Sequence, residues 1–478
     1  MSTTENSKKL AVGSVGVAHI VFFVVAAAAP MAAVVGATPP AFAFGNIGVP
    51  GAFILVGLLY LIFAAGFTAM AKHVSSAGGF YAYISRGTGR PLGLAGAFLA
   101  LATYFAIQVG IYAQVGVFAH AALEPYGVTL PWWTWSLVVL AAVLWCGQRH
   151  IVFSGRLLGI CMIAELLILT IFAIGVVLAG GGSEGLTLAG FQPSDVFSTG
   201  TGVTLIFVVS AFIGFEATAI FGEEATDPDR AIPRATVAAV LIITIFYAFV
   251  SWAVIQYYGP SAVHAKANES LEGFYIGAIA GVLGPWSSAV VNILLLTSLF
   301  ACLLSFHNTL NRYFFALGRD GLLWHRLATV HPATASPHIA GRFQALLVAA
   351  VLLVFAFAGA DPYAVVYAWM IAFAGIGILA VQILVSVSIV TFFRRDRRGF
   401  SALRVLVAPT VAGVALIAAF LQVSFNLSLL TGSDSMIVQS FPLCLMAIGM
   451  AGIVLAIYIK RTNPSVYNRM DATFADAG

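Results

Sequence analysis

The sequence predicts an all-α integral membrane protein: twelve transmembrane helices in a five-plus-five inverted repeat, with discontinuous helices 1 and 6. Three observations carry this. Of 478 residues, 61% are hydrophobic and 8% charged, where soluble domains carry about 25% charged residues. Twelve apolar runs of about 17 residues or more punctuate the chain, the length a helix needs to cross a bilayer. The first and sixth runs are interrupted by helix-breaking residues, and breaks five spans apart are the mark of an inverted repeat.

The runs cover 15–44, 48–71, 91–121, 132–148, 155–180, 198–222, 234–258, 284–317, 343–358, 363–391, 403–422 and 438–461. Run 1 reads Ala26-Ala27-Ala28-Ala29-Pro30-Met31 and then meets Gly36, Pro39 and Pro40. Pro30 removes a backbone donor and clashes with the preceding turn. Run 4 opens on Trp132, Trp133 and Trp135, an interfacial belt. Run 6 passes through Gly214 into Glu216. A carboxylate in a span costs roughly 2.5–3.5 kcal/mol on insertion scales. Runs 1–5 (15–180) form the first repeat and runs 6–10 (198–391) the second. Runs 11 and 12 (403–461) follow, between polar tails at 1–14 and 462–478. The first run is too long for a signal-peptide core and is expected to be retained.

Charge sets the orientation. Of 22 basic residues, only Lys266 falls in a loop on the side opposite the termini. The positive-inside rule then places both termini in the cytoplasm, in a multi-pass protein of the inner (cytoplasmic) membrane. The basic residues are spread over many loops, which argues against a nucleic-acid partner. Cys146, Cys161, Cys302 and Cys444 lie in or beside apolar runs without metal spacing and read as small hydrophobes. The nine histidines show no cluster for catalysis or metal binding. The sequence therefore argues against an enzyme, and no cofactor or metal is expected.

Three motifs then resemble the amino acid–polyamine–organocation transporter superfamily. They are Ala77-Gly78-Gly79-Phe80-Tyr81-Ala82-Tyr83, Phe212-Ile213-Gly214-Phe215-Glu216 with Gly222 to Ala235, and Arg312 to Leu323 with its Arg319-Asp320-Gly321. Many members carry a Gly-Ser-Gly-like break in helix 1, where this chain has Ala27 to Met31 with a proline. The resemblance implies a secondary active amino acid permease working by alternating access, driven by a proton gradient rather than sodium. A polyamine or other organic-amine permease, or an amino acid exchanger, is the alternative. The partners implied are a small amino acid or amine and membrane lipid.

The resemblance also implies a substrate site at Ala27, Ala28, Ala29 and Met31 of helix 1. Its second half is Ser210, Ala211, Phe212, Ile213, Gly214 and Phe215 of helix 6. Backbone N–H groups of a broken helix suit a carboxylate, and freed carbonyls suit an ammonium. Phe212 or Phe215 can close over the substrate or face lipid. Tyr104 and Gln108, four apart on one helix face, are candidates to line the cavity. Glu165 and Glu216 are the two deep acids and the candidates for proton coupling. Glu165 aligns with a position where some proton-coupled relatives place a lysine. Its alternative is a structural pair with Asn292, Ser298 or Ser305. Glu216 has three readings: binding a substrate cation, carrying the proton, or bracing helix 6. Glu223, Glu224 and Arg319 are read as a cytoplasmic gate, with Arg230 and Arg234 as further partners for the acids.

Overall fold

The computed structural model describes residues 16–74, 79–148, 152–216, 218, 227–331, 336–428 and 435–472. The regular elements among these residues are all helices, with no strand. Among them nine helices are long and apolar enough to cross a membrane. The chain runs through α1 (Val17–Ala28), α2 (Val49–Ala71), α3 (Phe80–Thr88), α4 (Arg90–Leu123), α5 (Trp132–Gln148) and α6 (Val152–Leu178). It continues with α7 (Thr201–Ala211), α8 (Pro228–Tyr258), α9 (Gly273–Leu283), α10 (Trp286–Arg319) and α11 (His338–Phe357). The last elements are α12 (Ala368–Arg395), α13 (Ala408–Phe425), α14 (Phe441–Thr462) and the short α15 (Pro464–Ala472).

Helix starts follow from local chemistry. Gly89 at φ +101 turns the chain sharply, and Pro91 then sits in the first turn of α4, where its missing N–H costs nothing. Asp361 accepts from the N–H groups of Tyr363 and Ala364 at 2.9 and 2.6 Å, capping the π-helical turn Pro362–Tyr367 that leads into α12. Two starts lie earlier than hydropathy places them. α8 begins at Pro228 rather than 234, because proline suits the first turn and polar residues there face out. α11 begins at His338 rather than 343, directly after Pro337. Residues 259–284, read from sequence as a loop, hold α9. Its Phe274, Tyr275, Ala278 and Ile279 are buried, so packing makes a helix of a segment too short to span.

α4 is buried along most of its length and packs against α10, α12 and α14. α2 packs on α8, and α1 on α8 and α10. α13 and α14 lie outside, showing Val411, Val414, Leu443 and Met446. Apolar side chains exposed on a membrane-length helix are the surface that lipid covers. One face of α2 carries Phe53, Tyr60, Phe63 and Phe67, stacked among Phe212, Phe215 and Tyr247.

Close approaches rest on glycine. A Cβ at Gly87 of α3 would lie 2.2 Å from the Ser388 carbonyl oxygen of α12. Backbone cannot swing aside as a side chain does, and overpacking typically costs about 1–3 kcal/mol. Gly87→Ala should therefore lower the thermal midpoint of the detergent-solubilised protein by several degrees. An unchanged midpoint would show that α3 and α12 are not held this tightly.

Candidate functional site

The first break falls at Ala29. This residue has φ +46, a left-handed conformation that costs an L-residue roughly 1–2 kcal/mol. It precedes Pro30, whose ring disfavours the helical region for its neighbour. Alanine is the smallest side chain that has a Cβ, and Ala29 is buried. Main-chain bonds still run from Ala29 N–H to the Val25 carbonyl and from Ala33 N–H to the Ala29 carbonyl. Between them, Pro30 has no donor and the next two N–H groups turn sideways. Met31 N–H donates to Glu165 Oε2 at 3.3 Å, and Ala32 N–H to Ser298 Oγ at 3.4 Å. Ser298 in turn donates to Glu165 Oε2 at 2.7 Å. The Ala28 carbonyl accepts from Tyr247 at 3.1 Å. Helix 1 is thus opened and re-satisfied by α6, α8 and α10, as any broken helix at membrane depth must be.

The second break follows Ala211. The chain leaves α7 in tight turns, with Phe212 N–H on Val209 O and Ile213 N–H on Ser210 O, both at 3.1 Å. Gly214 then takes φ +114, where a Cβ is not tolerated. Its N–H donates to Glu216 Oε2 at 2.9 Å. Glu216 Oε1 accepts from Tyr104 of α4 at 2.6 Å. The acid is buried and ties the turn after α7 to α4.

A small cavity, about 50 Å³, lies between the two breaks. Helix 1 contributes Ala28, Ala29, Ala32, Ala33 and Ala37, and the end of α7 contributes Ser210, Ala211 and Ile213. Ile107, Ile111 and Gln114 of α4 form one wall; Cys302, Phe306, Tyr367 and Ile371 close the others. Ligand pockets usually measure roughly 300–1,000 Å³, so the space is smaller than a typical ligand site. The Gly36 carbonyl, between the lining residues Ala33 and Ala37 of helix 1, accepts from both Gln114 and Tyr363. Tyr363 stacks on Tyr367 with ring centres 5.2 Å apart.

The residues expected from sequence are distributed as follows. Ala28, Ala29, Ser210, Ala211 and Ile213 meet at the cavity. Ala27 is the residue before the last of α1, and Met31 is turned to Glu165 by its amide. Phe212 and Phe215 pack into the aromatic face of α2 instead of over the cavity. Tyr104 engages Glu216, Gln108 is fully buried, and neither is among the cavity-lining residues. Ser298 is the partner of Glu165 among the three donors considered. Glu223 and Glu224 lie outside the described residues. Arg319 lies 4.0 Å from Asp320 and over the Phe315 ring, while Arg230 sits 3.8 Å from Asp227 of its own turn. The exposed Arg230 pair is worth little. Gln114, Tyr247, Phe306, Tyr363 and Tyr367 were not expected. Gln114 alone offered a signal, as an amide within an apolar helix.

Comparisons with known proteins bear on the fold and the family. The solved structure of MhsT in complex with L-phenylalanine superposes with a TM-score of 0.57 over 84% of this chain and 98% of that one, at 15% identity. That likeness establishes a shared fold. The branched-chain amino acid permease BcaP of Bacillus subtilis (strain 168) is 24% identical over 286 residues, 59% of this chain and 56% of BcaP. The serine/threonine exchanger SteT of the same organism is 23% identical over 312 residues, 63% of this chain and 68% of SteT. The low-affinity putrescine importer PlaP of Escherichia coli (strain K12) is 23% identical over 305 residues, 61% of this chain and 64% of PlaP. The chain thus spans about half the length of BcaP and about two thirds of the other two. The model of the amino acid permease family matches residues 19–466, nearly the whole sequence, and the chain belongs to that family.

Proposed function

We propose that the protein is a secondary active transporter that moves amino acids across the cytoplasmic membrane by alternating access, as a proton symporter. In this reading twelve spans form five-plus-five inverted repeats, both termini are cytoplasmic, and the substrate lies between the breaks of helices 1 and 6. The observation that carries it is the hydrogen-bond chain from Met31 and Ala32 through Ser298 to Glu165. It places a titratable group on α6 against the open turn of helix 1. A proton gained or lost there changes what the helix 1 amides bond to. Ion binding is thereby linked to the same element that would hold the substrate.

The grip of Gln114 and Tyr363 on the Gly36 carbonyl supports alternating access. It ties the second half of helix 1 to α4 and to the turn before α12. Movement of that half-helix must release both bonds, which gives the cavity a closed state to leave. The putrescine importer among the relatives favours a second reading, transport of an organic amine in the same fold.

In proteoliposomes, uptake of a radiolabelled amino acid should rise several-fold when the outside is made more acidic than the lumen. Uptake that ignores the pH gradient and requires sodium would overturn the coupling. Uptake of amines alone would select the second reading.

A further inference from the structure

We infer that the cavity selects zwitterions with a small uncharged aliphatic side chain, and excludes substrates bearing a second charge. This rests on the transport reading above and narrows its substrate class. The walls are set by Ile107, Ile111, Ile213, Ile371 and Phe306, opposite the alanines of helix 1. Among the described residues that line the cavity, none is acidic, basic or histidine. The two buried acids nearby are engaged elsewhere. Glu216 gives one oxygen to Tyr104 and the other to Gly214 N–H, and Glu165 receives Met31 N–H and Ser298.

A second ammonium, as on lysine or a diamine, would enter this space with its water stripped and no counter-charge facing it. Desolvation of an unpaired ion is heavily penalised. A hydrocarbon side chain meets the opposite situation, because isoleucine walls reward each methylene it buries. Phe306 and Tyr367 already occupy the edge of the space, which favours an aliphatic group over a large aromatic one.

The head group has a side-chain anchor. Ser210 Oγ is buried at the cavity wall with no hydrogen-bond partner among the described residues. A buried unpaired hydroxyl is costly, and a substrate carboxylate or ammonium would satisfy it. Gln114, the other strongly polar side chain at the wall, already donates to the Gly36 carbonyl. Charge recognition is therefore left to backbone groups at the breaks and to Ser210, which suits one ammonium and one carboxylate.

The test is displacement of radiolabelled L-leucine from the purified full chain in detergent. Valine and isoleucine should displace it at concentrations at least 100-fold lower than lysine, glutamate or putrescine. Ser210→Ala should weaken leucine binding about fivefold, the effect of losing one ordinary hydrogen bond. Lysine or putrescine competing within tenfold of valine would overturn the selectivity and leave the amino acid reading standing. Failure of leucine itself to bind would overturn the aliphatic assignment, and failure of every amino acid in the panel to stabilise the protein thermally would overturn the amino acid reading with it. Unchanged leucine affinity in Ser210→Ala would remove Ser210 from the site.

Discussion

Glu165→Gln is expected to abolish accumulation of substrate against a gradient while substrate exchange across the same membrane persists. In the proposed proton-coupled cycle the two activities separate because the carboxylate has two duties. As a hydrogen-bond acceptor, Glu165 Oε2 satisfies Met31 N–H and Ser298 Oγ at 3.3 and 2.7 Å. The carbonyl oxygen of glutamine can take that place with little change in volume. As a titratable group it can release a proton, which glutamine cannot. Exchange needs only a bound substrate and a moving scaffold, whereas accumulation needs the proton to travel with it. Glu165→Ala is a different perturbation: it strands the Met31 N–H and the Ser298 hydroxyl, at about 1–3 kcal/mol for each unsatisfied group. The alanine variant should therefore lose exchange as well, together with some folded yield. Counterflow and gradient-driven uptake, measured side by side in liposomes, decide the matter. Normal accumulation by the glutamine variant would leave Glu165 as a structural acceptor only.

The membrane-length helices and the first break were legible because single residues enforce them. A bilayer demands about 20 apolar residues per span, and Pro30 forces the register of the break onto Ala29. Gly214 was legible for a related reason, since a turn at φ +114 admits little else. The lining of the cavity was far less legible. In a chain that is 61% hydrophobic, a residue facing lipid, a packed helix and a substrate can all be apolar, and periodicity does not separate them. Phe212 and Phe215 illustrate this. They adjoin the break in sequence, yet their rings complete the α2 stack of Tyr60 and Phe63. Gln114 and Tyr363 meet on one carbonyl from 78 and 327 residues away. No local pattern encodes such a meeting. Gln108 is likewise an amide within the apolar α4, and only tertiary packing puts Gln114 rather than Gln108 at the wall.

Glu216→Ala is expected to abolish uptake, and Glu216→Gln to restore most of it. The geometry supplies the reason. Glu216 receives Tyr104 Oη on one oxygen at 2.6 Å and Gly214 N–H on the other at 2.9 Å. Alanine removes both acceptors from a buried site, leaving a hydroxyl and an amide unpaired next to the turn that ends helix 6. The turn would then lose the tie that holds it to α4. Glutamine can keep both bonds, its carbonyl accepting from Gly214 while its amide donates to the Tyr104 hydroxyl, which rotates to accept. Tyr104→Phe tests the same tie from the other side and should reduce uptake less than Glu216→Ala, because the Gly214 bond survives. A proton carrier would behave otherwise: glutamine would be as inactive as alanine, and Tyr104→Phe would shift the pH profile of uptake. Kinetics of the three variants at matched folded yield thus distinguish a brace from a carrier. The bracing outcome would leave Glu165 as the candidate acid for the proposed proton coupling.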